Sequence, residues 1–106
     1  MPHTELYEAR AQVMKALAHP TRLLIVEHLA QGPASVGELA KTAGQDISTV
    51  SRHLAQLKSV GVVASSRKAT QVFYYLATPC VMQFFQCIDQ VLASRIQQLE
   101  EARRIS

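Results

Sequence analysis

Two short capped helices in the middle of the sequence restrict the possible folds more than any other feature. Ser35 followed three places later by Glu38 is a capping-box pattern, and it predicts a helix that ends at Gly44. Asp46 can cap a second helix shortly afterwards. Helix, short turn, helix is the spacing of a helix-turn-helix, which we predict at about 36–60.

The second helix of this motif has an apolar face and a polar face. At about 100° per residue, Val50, Leu54 and Leu57 form one stripe that can face a core. The opposite side and its flanks carry side chains that can approach DNA closely and form hydrogen bonds with phosphates and base edges. These candidate DNA-binding residues are Ser48, Thr49, Ser51, Arg52 and Gln56. We expect His53, nearer the core, to be partly buried and to pack or form a hydrogen bond.

A change of pattern after Gly61 predicts a β-hairpin. The segments VVASSR and QVFYYL are rich in Val, Phe and Tyr, and KAT separates them, so the hairpin is predicted at about 62–76. The turn lacks the Gly or Asn usual in tight hairpins, which leaves the register open. Arg67 and Lys68 at its tip can reach phosphates or the minor groove beside a recognition helix, as a wing does.

Positive charge is concentrated around these elements. From Ile47 to Ile88 there are four basic residues and no Asp or Glu, so this segment carries +4. Residues 1–46 hold four basic and five acidic residues, and residues 89–106 hold three of each, so the chain sums to +3. Such asymmetry suits a phosphate-facing surface, although a solvated face that lacks acids is the alternative interpretation.

The remaining sequence completes a mainly α fold. Apolar residues at helical spacing and Pro20 predict two helices before the motif, and a last helix is predicted at about 79–102. We therefore expect one winged helix-turn-helix domain over 1–106, with about five helices and a two-stranded wing. No apolar run has the length of a membrane span or a signal segment, so we expect a cytoplasmic protein without a membrane partner.

The sequence contains no pattern typical of an enzyme. It has no Ser-His-Asp set, no Gly-rich phosphate loop and no paired carboxylates, and no His follows His53 to act as a base for a Cys nucleophile. We expect a DNA-binding protein without catalytic residues. One alternative is a constitutive DNA-binding dimer that has no inducer, or a module that works through a protein partner.

Four segments resemble the ArsR/SmtB family of winged helix-turn-helix transcriptional repressors. They are ALAHPTRLLIVEHL, SVGELAKTAG, STVSRHLAQLKSVGVV and VFYYL, and the resemblance covers about 13–76. It implies a homodimer that binds a pseudo-palindromic operator in double-stranded DNA and is released by an inducer, commonly a metal, a metalloid or a thiol-oxidising species. It also implies DNA-facing and wing positions at Ser48, Thr49, Ser51, Arg52, Arg67 and Lys68.

Two sensing sites of that family are missing from this sequence. Many arsenic and cadmium sensors carry Cys-Val-Cys at the start of the third helix, where this chain has Ser35, Val36 and Gly37. The zinc-type site uses Asp-x-His and His-x-x-Glu on the last helix. At least three of those four ligands are absent at the matching positions, which are Thr78, Cys80, Val91 and Ser94.

Cys80 and Cys87 are the remaining candidates for a sensing site. With Thr78 as the N-cap, Cys80 would occupy N2 of the last helix, where the helix dipole favours the thiolate. Seven residues of helix rise about 10.5 Å, whereas a disulfide needs Cα atoms within about 7 Å. The two thiols therefore cannot bond within one helix, but they can meet across a dimer whose last helices cross antiparallel.

The last helix has two faces to bury, because its apolar arc is about 180° wide and one core contact needs roughly 100°. Cys80, Cys87 and Val91 lie on one side. We expect this side to pair with a second subunit, which predicts a homodimer through the terminal helices. The other side is expected to pack on its own domain, and it holds Val81, Phe85, Ile88, Leu92, Ile96 and Leu99.

The cysteine pair leaves several hypotheses open. Thiolates from two subunits can bind a trivalent arsenical or another soft, thiophilic metal ion, which we prefer as the inducer. The same thiols can instead form an intersubunit disulfide or take up sulfur from a persulfide. Either event would rearrange the helix pair that spaces the recognition helices and so lower DNA affinity. Cysteines that only pack, with no sensing role, are the remaining interpretation.

Overall fold

The structure, a computed structural model, describes residues 3–105. Within them the elements are α1 (His3–Leu17), α2 (Pro20–Leu29), β1 (Ala34–Ser35), α3 (Val36–Ala43), α4 (Ile47–Ser59), β2 (Val63–Lys68), β3 (Gln71–Leu76) and α5 (Val81–Ile105). The predicted fold class, mainly α with a small β-hairpin in a winged helix-turn-helix arrangement, is confirmed.

Local hydrogen bonds define the ends of the helix-turn-helix. The Ser35 hydroxyl accepts from the backbone N–H of Glu38 at 3.2 Å, and Gly44 ends α3 with a left-handed φ of 66°, which a residue without Cβ adopts at little cost. Asp46 Oδ1 accepts from the backbone N–H of Thr49 at 2.8 Å, which caps α4. Both capping predictions are therefore confirmed.

The core lies where α2, α3 and α4 meet the sheet. Burying one Leu, Ile or Val side chain contributes about 1.5–3 kcal/mol to stability. The buried side chains on one face of α4 therefore hold this helix against the rest of the domain. The largest completely buried side chains are Ile25, Val26, Leu39, Val50, Leu54, Leu57 and Val63.

The predicted hairpin is part of a three-stranded sheet. β2 pairs antiparallel with β3, and Lys68 lies opposite Gln71 beside the two-residue turn. β1 pairs with the other edge of β3, with Ala34 opposite Tyr74. The sequence predicts the two strands of the wing but not β1, because two residues are too few to show the alternation typical of a strand.

The α5 helix extends well beyond the domain. Val81 is buried and Phe85 is half-buried, but every described side chain from Gln86 to Arg104 is exposed. The radius of gyration is 17.0 Å, against about 13 Å for a compact chain of this length. The expectation that one whole side of α5 packs on its own domain is therefore wrong beyond the first turns. The side chains that remain 44–57% exposed include Ile88, Leu92, Ile96 and Leu99.

One residue of the hairpin turn is strained. Ala69 has a φ of 58°, and it is the one residue other than glycine with a positive φ in the part of the chain that the structure describes. A Cβ in this conformation costs roughly 1–2 kcal/mol. The cost is tolerated because the strands on both sides pair up to the turn.

We expect Ala69→Gly to raise the free energy of unfolding by about 0.5–1 kcal/mol, because relief of the strain exceeds the added backbone entropy of the unfolded chain. Urea unfolding monitored by circular dichroism measures the change. The matched control is Ala64→Gly within β2, which we expect to lower stability. An Ala69→Gly protein no more stable than the wild type would contradict the strained turn.

Candidate nucleic-acid interface

The outward side of α4 forms a polar and basic surface. Val50, Leu54 and Leu57 are completely buried, which determines the rotation of the helix. Thr49 is half-buried on one flank. The predicted division between core side and solvent side is thus confirmed for this helix. Its exposed residues include Ser48, Ser51, Arg52, Ala55, Gln56 and Ser59.

Asp46, the acidic residue next to this surface, accepts hydrogen bonds at the N-terminal end of α4. Ser48 donates from its hydroxyl to Asp46 Oδ1 at 3.0 Å, beside the capping bond from Thr49. The side-chain and backbone hydrogen bonds of Thr49, then that of Ser48, lower the pKa of Asp46, and the charge of Arg52 acts in the same direction. The carboxylate therefore organises the first turn of α4 next to the positive charge of Arg52.

A side-chain hydrogen bond connects the wing, formed by β2 and β3, to α4. Arg67 and Lys68 are exposed at the end of β2, beside the turn. Lys58, in the last turn of α4, donates from Nζ to Ser65 Oγ of β2 at 2.8 Å. The four basic residues of the acid-free segment thus lie on two elements that a side-chain hydrogen bond connects.

A polar cluster joins α2 to α4, and the sequence reasoning missed most of it. Arg22 Nε donates to His53 Nδ1 at 3.0 Å, and Arg22 Nη1 donates to the carbonyl of Ala16 at 3.2 Å. The ring centroids of His19 and His53 are 4.5 Å apart. His19 Nδ1 also accepts from the backbone N–H of Thr21 at 3.1 Å and so caps α2. The prediction that His53 is partly buried and hydrogen-bonded is confirmed.

Cys80 lies just before α5 and not at its second position. Both Cys80 and Cys87 are free and exposed, and α5 begins at Val81. The prediction that Thr78 caps this helix is wrong, because α5 begins three residues later, and the Thr78 hydroxyl donates to the carbonyl of Gly61 at 3.0 Å. That hydrogen bond links the chain entering α5 to the residues that follow α4.

An apolar groove runs between α1 and α5. Near Cys80 it is lined by Met14, Leu17 and Phe84, and it continues along α5 to Leu92. Met14 and Leu92 are 54% and 53% exposed. A continuous apolar surface of this kind on a single chain is typical of a protein interaction site.

The described residues contain no group of three His, Cys, Asp or Glu side chains that could hold a metal ion. In the same part of the chain, no helix is long and apolar enough to cross a membrane.

A capped helix-turn-helix that buries one side of its second helix, exposes the other and ties it to a basic hairpin defines a winged helix-turn-helix DNA-binding protein. Residues 17–66 match the family model described as a helix-turn-helix domain. The chain belongs to the ArsR family of winged helix-turn-helix transcriptional regulators, and the resemblance noted in its sequence is confirmed.

Relatives match over most of the chain. Rv0081 of Mycobacterium tuberculosis, an uncharacterised HTH-type transcriptional regulator, is 34% identical over 108 residues, covering 97% of this chain and 95% of Rv0081. The homodimeric winged helix-turn-helix DNA-binding domain of Mb0332 from Mycobacterium bovis, a possible ArsR-family regulator, is 34% identical with a TM-score of 0.78, covering 90% of this chain and 88% of that one. The transcriptional repressor BigR from Xylella fastidiosa is 31% identical with a TM-score of 0.69, and the match covers 86% of this chain and 96% of that one.

Proposed function

We propose that this protein is a dimeric, sequence-specific transcriptional repressor in the cytoplasm, with α4 as its recognition helix. The observation that supports this most directly is the exposed polar side of α4, whose rotation the buried apolar stripe determines. In the proposed complex this side enters the major groove, and the wing reaches the adjacent phosphates or minor groove. The DNA-binding residues are then Ser48, Thr49, Ser51, Arg52, Gln56, Arg67 and Lys68.

The apolar surface of α1 and α5 supports the dimer. Ile88, Leu92, Ile96 and Leu99 are about half exposed on a helix that extends past its own domain, and pairing with a second chain would remove them from water. The relative Mb0332 is described as homodimeric. A two-fold dimer presents two recognition helices to half-sites about one turn of DNA apart, roughly 34–36 Å. Repression, the activity named for BigR, follows if the dimer occupies its operator.

Arg52→Ala and Lys68→Ala should differ in their effects on DNA binding. If Arg52 contacts a base, its loss should weaken binding to a selected duplex by roughly 1–3 kcal/mol and relax specificity at one position. Loss of Lys68, as a phosphate contact, should weaken all duplexes about equally and reduce the salt slope by about one. Fluorescence anisotropy titrations over a range of salt concentrations measure both effects.

Lys15→Ala is the matched control for these variants, because Lys15 is an exposed cation on α1, outside the proposed surface. We expect it to bind the selected duplex like the wild type. Normal binding by the triple variant Arg52→Ala, Arg67→Ala, Lys68→Ala would contradict the proposed DNA surface.

We infer that the inducer acts at Cys80 and Cys87. Both thiols are exposed in the single chain, and an antiparallel crossing of two α5 helices would bring Cys80 of one chain near Cys87 of the other. Thiolates from both chains would then bind a trivalent arsenical or another soft metal ion. Thiol oxidation or reaction with a persulfide is a second candidate. The exposure of both thiols supports it, since accessible thiols react with oxidants and a disulfide needs only two sulfur atoms.

A path from this pair to the DNA surface supports the same proposal. Cys80 is two residues from Thr78, whose hydroxyl donates to the carbonyl of Gly61, two residues after the end of α4. The backbone N–H of Ala77 also donates to the carbonyl of Val62 at 3.0 Å. A shift of the chain entering α5 would therefore pull directly on the end of the recognition helix.

The double variant Cys80→Ser, Cys87→Ser should bind DNA like the wild type but no longer be released by the inducer. Release of the selected duplex is measured after addition of arsenite, a soft divalent metal, a peroxide or a persulfide donor, with both proteins side by side. Equal release of the two proteins by every compound would contradict sensing by this pair.

Non-reducing electrophoresis after peroxide treatment tests the pairing separately. If Cys80 of one chain meets Cys87 of the other, the wild type should give a covalent dimer, and either single serine variant should not. A covalent dimer that persists in Cys87→Ser would show that like cysteines meet instead and would contradict the proposed register.

A further inference from the structure

Arg22 connects three elements of the domain at one point. Its Nη1 donates to the carbonyl of Ala16 near the end of α1, at 3.2 Å, and its Nε donates to His53 Nδ1 in the middle of α4, at 3.0 Å. The side chain is half-buried, and the rigid fork of a guanidinium orients both bonds at once. The buried apolar stripe of α4 is not directional, whereas this bond adds a directional restraint on the helix.

The hydrogen bonds of this cluster require two neutral histidines. An imidazole nitrogen accepts a hydrogen bond only when it carries no proton. His53 Nδ1 accepts from Arg22, and His19 Nδ1 accepts from the backbone N–H of Thr21. These bonds assign the tautomer with the proton on Nε2 to both rings. Protonation of His53 would replace its acceptor with a donor that faces the Arg22 N–H.

The surroundings of His53 also oppose its positive charge. Burial is the largest cause that lowers the pKa of His53, followed by the charges of His19, Arg22 and Arg52. These groups lie before α2, on α2 and on α4 itself, and the two arginines carry a permanent positive charge. The folded arrangement is therefore most favoured above the ordinary His pKa of about 6.5 and is weakened as the pH falls below it.

We propose that Arg22 is a positioning residue for DNA recognition, which holds the recognition helix through His53 only while His53 is neutral, so that acidification weakens DNA binding through this contact. The inference rests on the proposed DNA-binding function of α4. It adds a residue that acts on the interface indirectly, because Arg22 bonds the half-buried His53 and not a residue of the exposed polar side of α4.

The sign of the pH effect separates positioning from simple attraction. A histidine that only lies near DNA gains a positive charge in acid and tightens binding to phosphates. A histidine that must stay neutral to accept from Arg22 has the opposite effect. A comparison of the wild type with His53→Asn isolates this contribution, because the Asn carbonyl can accept near the position of Nδ1 and does not titrate.

The test measures binding to a duplex that the wild-type protein selects from a random pool, at about pH 7.5 and about pH 5.5, with thermal unfolding followed in the same buffers. We expect the affinity of the wild type relative to His53→Asn to fall roughly three- to tenfold on acidification. His28→Asn, a control on α2 outside the cluster, should follow the wild type. Arg22→Ala should bind DNA more weakly at neutral pH with an unchanged salt slope, whereas loss of a phosphate contact would change the slope by about one. Arg22→Lys should not restore binding, because an ammonium lacks the planar fork that forms both hydrogen bonds.

Parallel pH profiles of the wild type and His53→Asn, or a wild type that tightens in acid relative to His53→Asn, would overturn the proposal. Full rescue by Arg22→Lys would overturn it as well, because charge alone would then suffice. If Arg22→Ala does not fold, the wild type and His53→Asn still decide the result. A wild type that selects no duplex at either pH would contradict the proposed function itself, and this inference with it.

Discussion

The burial of Val50, Leu54 and Leu57 determines what this protein presents to DNA. With about 100° between successive residues, placing these three side chains in the core leaves only one set of residues on the outer side of α4. That set is polar, small or basic, and Arg52 lies within it. Sequence specificity in the proposed complex is thus a consequence of core packing, because the same residues on a rotated helix would face the domain.

Polar contacts then connect the packed helix to its neighbours. Two of them join residues that are distant in sequence, with Arg22 bonded to His53 across 31 positions and Thr78 bonded to Gly61 across 17. This arrangement explains how an event at the start of α5 could alter a surface on another side of the domain. The contacts between elements are the Arg22 bond to His53, the Lys58 bond to Ser65 and the Thr78 bond to Gly61.

The sequence predicted those features that depend on short stretches of chain. The caps at Ser35 and Asp46, the apolar stripe of α4 and the hairpin all arise from residues within a few positions of each other, and each was found where expected. The contact between Arg22 and His53 joins residues 31 apart and left no local pattern. The sequence placed Cys80 inside the last helix, but that helix begins at Val81, and the preceding Thr78 contacts the distant Gly61. DNA contacts and cysteine sensing remain proposals.

The exposed apolar length of α5 gives the protein its proposed symmetry. A single chain offers one recognition helix, whereas two chains paired through α1 and α5 offer two in a defined spacing. A hydroxyl-radical footprint of the selected duplex tests this directly. We predict two equivalent protected segments whose centres lie about one helical turn, roughly 10 base pairs, apart around a dyad. A single protected segment, or protection that extends without symmetry, would contradict the proposed dimer on DNA.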